Sequence, residues 1–212
     1  SDTLNVDVGS AVRTIRWSGE AIDKIYDEIT PTPSDCLALV TREALGVVAA
    51  IVPWNFPLST TAWKLAPALA TGNSVILKPA SNTPLSALRI ADLAAEAGLP
   101  DGTLHVLPGS GGNLGQHLAT HMDIDGLTFT GSTPVGKQLM KYSGQSNLKR
   151  TFLELGGKSP NIVFADANLE KAASSAALAV YWNGGQTCTA GTRLIVEESI
   201  LDDFMARVIE ES

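Results

Sequence analysis

The chain has 212 residues, of which 44% are hydrophobic and 17% are charged, and its formal net charge is -7 at pH 7. This composition is that of a folded globular protein and excludes a disordered chain. The acidic balance, without a cluster of Lys and Arg, argues against a nucleic-acid partner or an anionic membrane surface.

The first thirty residues have the pattern of one helix. Apolar side chains recur every three or four residues from Val12 to Ile29, with charged residues between them. Pro31 and Pro33 end this predicted helix, because proline cannot continue a helix and constrains the residue before it. Strands are predicted at 37–40 and 45–52. The second is apolar on both faces, which predicts a place in the middle of a covered sheet.

Helices and strands are then expected to alternate. The pattern predicts, in order, a helix at 60–69, a strand at 74–77, a helix at 85–97 that Gly98 ends, a strand at 104–107, a helix through Leu118, a strand at 127–129 and a helix at 134–142. Such alternation is typical of a parallel sheet with right-handed crossovers.

The pattern changes after Gln145, and we expect a second α/β domain there. Its predicted elements are strands at 151–155 and 161–164, an Ala-rich helix at 169–180, a Gly-rich loop, a strand at 193–196 and a final helix that runs to Ser212 without a cap. The predicted domains are therefore residues 1–150 and residues 151–212.

No segment has the features of a membrane span or a secretory signal. The longest apolar run, 45–53, fits one buried strand. Residues 1–5 contain neither the basic region nor the apolar region of a signal peptide. Cys36 and Cys188 lie far apart in different contexts. A disulfide between them is conceivable, but a reducing cytoplasm is the better expectation.

Five short segments stand out, at residues 52–57, 77–81, 129–133, 153–160 and 183–191. They read Val-Pro-Trp-Asn-Phe-Pro, Leu-Lys-Pro-Ala-Ser, Phe-Thr-Gly-Ser-Thr, Leu-Glu-Leu-Gly-Gly-Lys-Ser-Pro and Asn-Gly-Gly-Gln-Thr-Cys-Thr-Ala-Gly. In this order and spacing they resemble the aldehyde dehydrogenase superfamily across essentially the whole chain. The resemblance implies an α/β fold in which a parallel-sheet, Rossmann-like cofactor domain precedes the start of an incomplete catalytic domain. It also implies NAD or NADP as cofactor and an aldehyde as substrate.

Cys188 lies in the last of these segments, among small residues. A single cysteine is most often a small buried hydrophobe. Here the small neighbours keep the thiol approachable, and the glycines allow the backbone to come close to a ligand. The resemblance implies that Cys188 is the nucleophile. Cys36, at the start of a predicted strand, is expected to be structural.

Two further residues have catalytic roles by the same resemblance. A thiolate that attacks an aldehyde generates a negative oxygen, which needs donors already aimed at it. Asn55 and the Cys188 backbone N–H are the expected donors, although an Asn in a loop often makes only a local turn hydrogen bond. Glu154 is the expected base for thioester hydrolysis. An isolated Glu would be interpreted as a solvated surface carboxylate.

The loop from Gly109 to Gly115 follows a strand and opens a helix, but Leu114 stands where Gly-x-Gly-x-x-Gly requires its last glycine. The resemblance nevertheless implies cofactor contacts at Gly111 and Gly115, and a pyrophosphate contact at Ser132. Helix capping is the alternative at each position, and it can coexist with binding. The cofactor residues that the resemblance implies are Ile51, Trp54, Lys78, Ser81, Gly111, Gly115, Gly131, Ser132, Val135 and Leu155.

Lys78 and Ser81 bear on the choice between NAD and NADP. Lys78 matches the family lysine that binds the adenosine ribose. NAD-preferring members often carry Glu in place of Ser81, and that carboxylate repels a 2′-phosphate. Serine removes the repulsion and leaves Lys78 to pair with phosphate, so we expect NADP to be accepted. The three histidines, His105, His117 and His121, show no metal-ligand pattern, and no metal site is expected.

A finer resemblance, at residues 16–26, 161–166 and 191–200, is to bacterial γ-glutamyl-γ-aminobutyraldehyde dehydrogenases, which oxidise ω-amino aldehydes. Family members are roughly twice this length, so the resemblance implies that this chain is a central fragment of an enzyme. It also implies that the full-length form of the enzyme is a homo-oligomer. Two functions remain open: a dehydrogenase, and a catalytically inactive module that binds the cofactor or associates with partners. An incomplete second domain also predicts exposed apolar surface.

Overall fold

A computed structural model describes residues 3–212 as two units, one ending at Glu154 and the other covering Leu155–Ser212. The first unit contains the larger sheet, and the second contains a smaller sheet with its own apolar core. No helix within residues 3–212 is both long and apolar enough to cross a membrane.

The N-terminal helix is shorter than the sequence predicts. A π-helical segment, Thr3–Val8, leads into α1 (Gly9–Ala21) and a 3₁₀ turn, Ile22–Lys24. The strand β1 (Glu28–Thr30) then pairs antiparallel with β2 (Ala38–Val40). The prediction of a helix to residue 29 is therefore wrong. The β-branched residues near its end favour a strand once β2 supplies a partner, and this partner lies beyond the reach of a local pattern.

A five-stranded sheet organises the first unit. Its strands are β3 (Val47–Ile51), β4 (Ser74–Lys78), β5 (Leu104–Val106), β6 (Gly126–Gly131) and β7 (Arg150–Leu155). Its helices are α2 (Pro57–Ala70), α3 (Leu85–Glu96), α4 (Gly111–Thr120) and α5 (Thr133–Gly144). The strand order is β5-β4-β3-β6-β7, and β3 lies parallel to both β4 and β6. The prediction that the apolar strand at 45–52 is central is confirmed.

The order of the strands creates a crevice at one edge of the sheet. The chain runs outward from β3 through β4 to β5, then crosses back to β6 on the other side of β3. The order in which the chain adds strands to the sheet therefore reverses between β3 and β6. In open α/β sheets, ligands bind at the carboxyl ends of the strands at such a point. Tight packing beneath it, including the fully buried Val75, Leu77 and Leu127, holds these strand ends in place.

The strand β7 belongs to this sheet, at its edge beside β6, whereas we expected it to open the second domain. The polar stretch before it, which suggested a domain boundary, closes a turn instead. Ser143 donates a hydrogen bond to the Lys149 backbone oxygen at 2.6 Å. The buried Lys149 ammonium donates to the Ala119 oxygen at 2.8 Å, at the end of α4. The polar residues of this stretch make tertiary hydrogen bonds, although in the sequence they resemble a linker between domains.

The second unit contains two parallel strands and two helices. Its elements are β8 (Pro160–Val163), α6 (Leu169–Tyr181), a 3₁₀ turn (Trp182–Gly185), β9 (Arg193–Val196), a 3₁₀ turn (Glu198–Ile200) and α7 (Leu201–Glu210). Val163, Ala173 and the fully buried Phe204 form its core. Phe164 is 63% exposed, as the sequence predicts for apolar surface in this unit. The final helix ends at Glu210 and does not run through Ser212.

Candidate functional site

A crevice of about 590 Å³ lies at the carboxyl ends of β3, β4 and β6. This volume is typical of small-molecule sites. Every predicted cofactor residue of the first unit lines it: Ile51, Trp54, Lys78, Ser81, Gly111, Gly115, Gly131, Ser132 and Val135. Leu155, the remaining predicted residue, lies in the second unit. The crevice is also lined by Gln116, Gln138 and Tyr142, which no sequence motif predicted.

Lys78 is the last residue of β4 and places a buried ammonium at the crevice. The residue is only 3% exposed, and its Nζ donates to the Pro79 backbone oxygen at 2.8 Å. Burial lowers the pKa of Lys78. Among residues 3–212 no carboxylate pairs with it. A buried cation without a counter-charge is well suited to bind hydroxyl or phosphate oxygens.

Ser81 joins two loops on one side of the crevice. Its hydroxyl donates to the Gly109 backbone oxygen at 3.0 Å, so the loop after β4 is bonded to the loop before α4. The side chain is exposed and carries no charge. A 2′-phosphate near this position would therefore meet no carboxylate at residue 81.

The N-termini of α4 and α5 both reach the crevice. Ser110 caps α4, since its Oγ accepts a hydrogen bond from the Asn113 N–H. Ser132 occupies the same position before α5, but its side chain makes no capping hydrogen bond. The capping alternative raised for Ser132 is therefore not realised in this structure. Helix N-termini present N–H donors and a partial positive charge, which favours a phosphate group nearby.

Two glycines of the crevice have different physical roles. A Cβ atom at Gly131 would lie 2.4 Å from Cζ of the buried Phe129 ring, so packing itself requires glycine there. A Cβ at Gly111 would meet nothing within 4 Å. Gly111 therefore lies in open space, as expected of a residue whose backbone a ligand approaches.

Asn55 lies in the segment between β3 and α2, flanked by Trp54 and Phe56 and half-buried. Prolines at positions 53 and 57 restrict the backbone on both sides. The segment starts where β3 is bonded to its neighbour, because the Val52 N–H donates to the Lys78 oxygen at 3.1 Å. The side-chain amide of Asn55 thus comes from a restrained loop at the carboxyl edge of the sheet.

Glu154 is exposed on β7, and it interacts electrostatically with Lys64 of α2. Lys64 donates to the Thr128 hydroxyl at 2.9 Å. Burial lowers the pKa of Lys64 to about 8, and the Glu154 charge partly opposes this effect. Lys64 was not among the predicted site residues. A signal was available, because Lys64 is the one charged residue in the sequence of α2.

Cys188 lies in the second unit, half-buried, in the loop between α6 and β9. Three successive residues before it, Asn183, Gly184 and Gly185, adopt positive φ values. Left-handed backbone at a non-glycine residue costs energy and is concentrated at functional sites. No acceptor for the Cys188 N–H is found within residues 3–212. This N–H is therefore available to a ligand oxygen.

Cys36 does not match the structural role that we expected, because it is exposed. The turn before β2, where it lies, offers no core to cover the thiol. The three histidines are exposed as well. Among the described residues no group of three or more His, Cys, Asp or Glu side chains is placed to hold a metal ion.

Comparisons with known proteins identify relatives of nearly the whole chain. The sequence profile of the Aldehyde dehydrogenase family matches residues 1–212. The chain is 58% identical over 211 residues to the NADP/NAD-dependent aldehyde dehydrogenase PuuC of Escherichia coli, covering 99% of this chain and 43% of the relative.

Two solved structures are similar over 99% of this chain and 43% of theirs. An indole-3-acetaldehyde dehydrogenase of P. syringae, in complex with NAD+ and IAA, is 61% identical with a TM-score of 0.98. A gamma-glutamyl-gamma-aminobutyraldehyde dehydrogenase of Burkholderia cenocepacia is 53% identical with a TM-score of 0.97. The chain thus spans less than half the length of these relatives. Since the family profile matches from the first residue to the last, the chain belongs to the aldehyde dehydrogenase family.

Proposed function

We propose that this chain is the cofactor-binding and nucleophile-bearing part of an enzyme that oxidises an aldehyde to a carboxylic acid with NAD or NADP. The observation that carries the proposal is the crevice between β3 and β6, where all the predicted cofactor residues of the first unit converge. The relatives support it, since one is named as NADP/NAD-dependent and another is in complex with NAD+.

The residues of the crevice fit a dinucleotide. The buried Lys78 ammonium can donate hydrogen bonds to ribose hydroxyls. The Ser132 hydroxyl, at the start of α5, makes no capping hydrogen bond and can bind the pyrophosphate. Gly111 leaves open space for the approach of the cofactor to α4. When bound, the dinucleotide supplies the hydride acceptor for the oxidation. Because Ser81 adds no negative charge beside Lys78, both NAD and NADP are expected to bind.

Cys188 acts as the nucleophile in this proposal. Its thiolate adds to the aldehyde carbon, and the carbonyl oxygen becomes negatively charged. The resemblance to the family implies the Asn55 side-chain amide and the Cys188 N–H as the donors to that oxygen. Loss of one such donor typically slows a reaction by about a hundredfold or more. Removal of hydride then leaves a thioester on Cys188.

Glu154 takes a proton from the water that attacks this thioester, which releases the acid and restores the thiol. Its exposed position on β7 allows water to reach it. The ammonium of Lys64, which donates a hydrogen bond to Thr128, interacts electrostatically with this carboxylate. We assign Lys64 as a charged neighbour of Glu154.

We propose an ω-amino aldehyde as the substrate, from the resemblance to the γ-glutamyl-γ-aminobutyraldehyde enzymes. The P. syringae relative, named for indole-3-acetaldehyde, is more identical to this chain than the B. cenocepacia one. A comparison of the two aldehydes at equal concentration in single-turnover assays tests the assignment. Faster reduction of the cofactor with indole-3-acetaldehyde would reject it.

We also propose that the full-length form is a homo-oligomer. The β1–β2 hairpin exposes apolar side chains on both strands and beside them, with Ile29 75% and Leu37 73% exposed. An apolar patch of this kind marks an interaction surface. Sedimentation analysis of the full-length protein, as wild type and as Ile29→Ser, tests this. A monomer for both proteins would contradict the proposal.

Cofactor binding is tested by calorimetric titration of the chain with NAD and with NADP. We expect Lys78→Met to weaken both by roughly tenfold or more, the loss typical of one charged hydrogen bond. The matched control is Lys137→Met, which removes an exposed lysine of α5 outside the crevice and should change the affinity less than about twofold. A wild-type chain that binds neither dinucleotide would contradict the proposed function.

A further inference from the structure

Asp7, far from α2 in sequence, bonds to the first turn of that helix. One carboxylate oxygen accepts from the Ser59 N–H at 2.8 Å, and the other accepts from the Leu58 N–H at 3.1 Å. The Ser59 hydroxyl in turn donates to the Asp7 backbone oxygen at 3.0 Å. Asp7 is only 7% exposed. A buried carboxylate with two backbone donors is a restrained arrangement, because each bond is protected from water.

The local sequence explains why α2 needs this partner. The first N–H groups of a helix lack acceptors within the helix, and the residue before the helix usually supplies one. Phe56 stands at that position and offers no side-chain cap, and Pro57 has no N–H. Asp7 therefore supplies the cap from a different part of the chain, with a negative charge that the helix N-terminus favours.

Asn55 lies two positions before α2, so the cap bears on its placement. The segment that contains Asn55 is fixed at one end by the bond from Val52 to Lys78. Its other end is the first turn of α2, which Asp7 holds. We propose that Asp7 is a positioning residue, which fixes the start of α2 and thereby aims the Asn55 amide at the negative oxygen of the reaction. This rests on the proposed role of Asn55.

Kinetics give the first test, on the whole chain. We expect Asp7→Ala to slow the first turnover of cofactor reduction by about tenfold, since small misplacement of such a group is costly. The affinity for NAD should fall much less than the rate, because Asp7 does not line the crevice and Trp54 is only one of the residues that do. Asp7→Asn keeps one acceptor oxygen and should recover part of the rate. A general loss of folding would instead weaken NAD binding and would not be rescued.

The matched control is Asp125→Ala. Asp125 also accepts from a backbone N–H, that of Val47, at 2.8 Å, but at the amino end of β3. This variant should keep the wild-type rate of the first turnover. Equal slowing in Asp125→Ala and Asp7→Ala, or a wild-type rate in a folded Asp7→Ala, would overturn the proposal.

A second measurement does not depend on turnover. With 5-fluorotryptophan incorporated, the ¹⁹F resonance of Trp54, beside Asn55, is assigned by its loss in Trp54→Phe. Asp7→Ala should shift or broaden that resonance while the resonance of Trp182, in the second unit, stays unchanged. An unchanged Trp54 resonance would overturn the positioning role. If the wild-type chain shows no turnover at all, the proposed function fails, and the ¹⁹F result alone decides whether Asp7 positions this segment.

Discussion

Replacement of Lys64 by Met is expected to change how the stability of the first unit depends on pH. Burial lowers the pKa of Lys64 from 10.5 to about 8 in the folded chain. Between about pH 8 and pH 10.5 the unfolded chain therefore binds more protons at this residue than the folded chain does. The free energy of unfolding must rise with pH across this window. The difference of about 2.5 pKa units corresponds to about 3 kcal/mol.

Urea unfolding at several values from pH 7.5 to pH 10.5 measures the effect. The free energy of unfolding of wild type, minus that of Lys64→Met, should increase by about 3 kcal/mol over this range. Subtraction of the variant cancels the contributions of the other lysines. Lys137→Met, which removes an exposed side chain, should give a curve parallel to that of wild type. Parallel curves for wild type and Lys64→Met would refute the conclusion that burial lowers the pKa of the Lys64 ammonium.

Three further substitutions test packing, cofactor choice and helix capping. Gly131→Ala should lower the free energy of unfolding by about 1–3 kcal/mol, because the new Cβ meets the Phe129 ring, whereas Gly19→Ala, which has open space in α1, should not lower it. Ser81→Glu should weaken NADP relative to NAD by about tenfold in titrations, while Ser81→Ala, which loses only the bond to the loop before α4, should affect both cofactors equally. Asn168→Ala should destabilise the second unit by about 1 kcal/mol in thermal unfolding, since its side chain caps α6, and Asn168→Ser should recover most of this.

Local pattern was sufficient to predict most elements of the larger sheet. Buried parallel strands read as short apolar runs, and the helices between them show the helical period, so β3 and its central place followed from the sequence alone. The first helix was predicted too long because β1 depends on pairing with β2. We expected β7 to begin the second domain, but it lies at the edge of the larger sheet. The turn before it is closed by bonds from Lys149 that the sequence does not reveal.

The residues of the candidate site were likewise predictable from the sequence only in part. The crevice residues were identified through motifs that resemble a family, and those of the first unit do lie together. Asp7 was not identified, because its importance comes from its tertiary contact with the start of α2. For Lys64 the sequence offers one signal, the single charge in α2, but its contact with Thr128 is tertiary. A motif indicates which residues carry the chemistry. It does not indicate which distant residues hold them.

We have proposed that this chain carries the cofactor crevice and the nucleophile, Cys188, of an aldehyde-oxidising enzyme. A stopped-flow trace of reduced nicotinamide, with a short ω-amino aldehyde in excess over the chain, tests it most directly. NAD and NADP are supplied separately, and Cys188→Ala is the control. We predict a burst equal to the concentration of the chain that is absent in the variant. If the chain binds the cofactor but gives no burst with either dinucleotide, the claim is contradicted, and the chain is a binding module without activity.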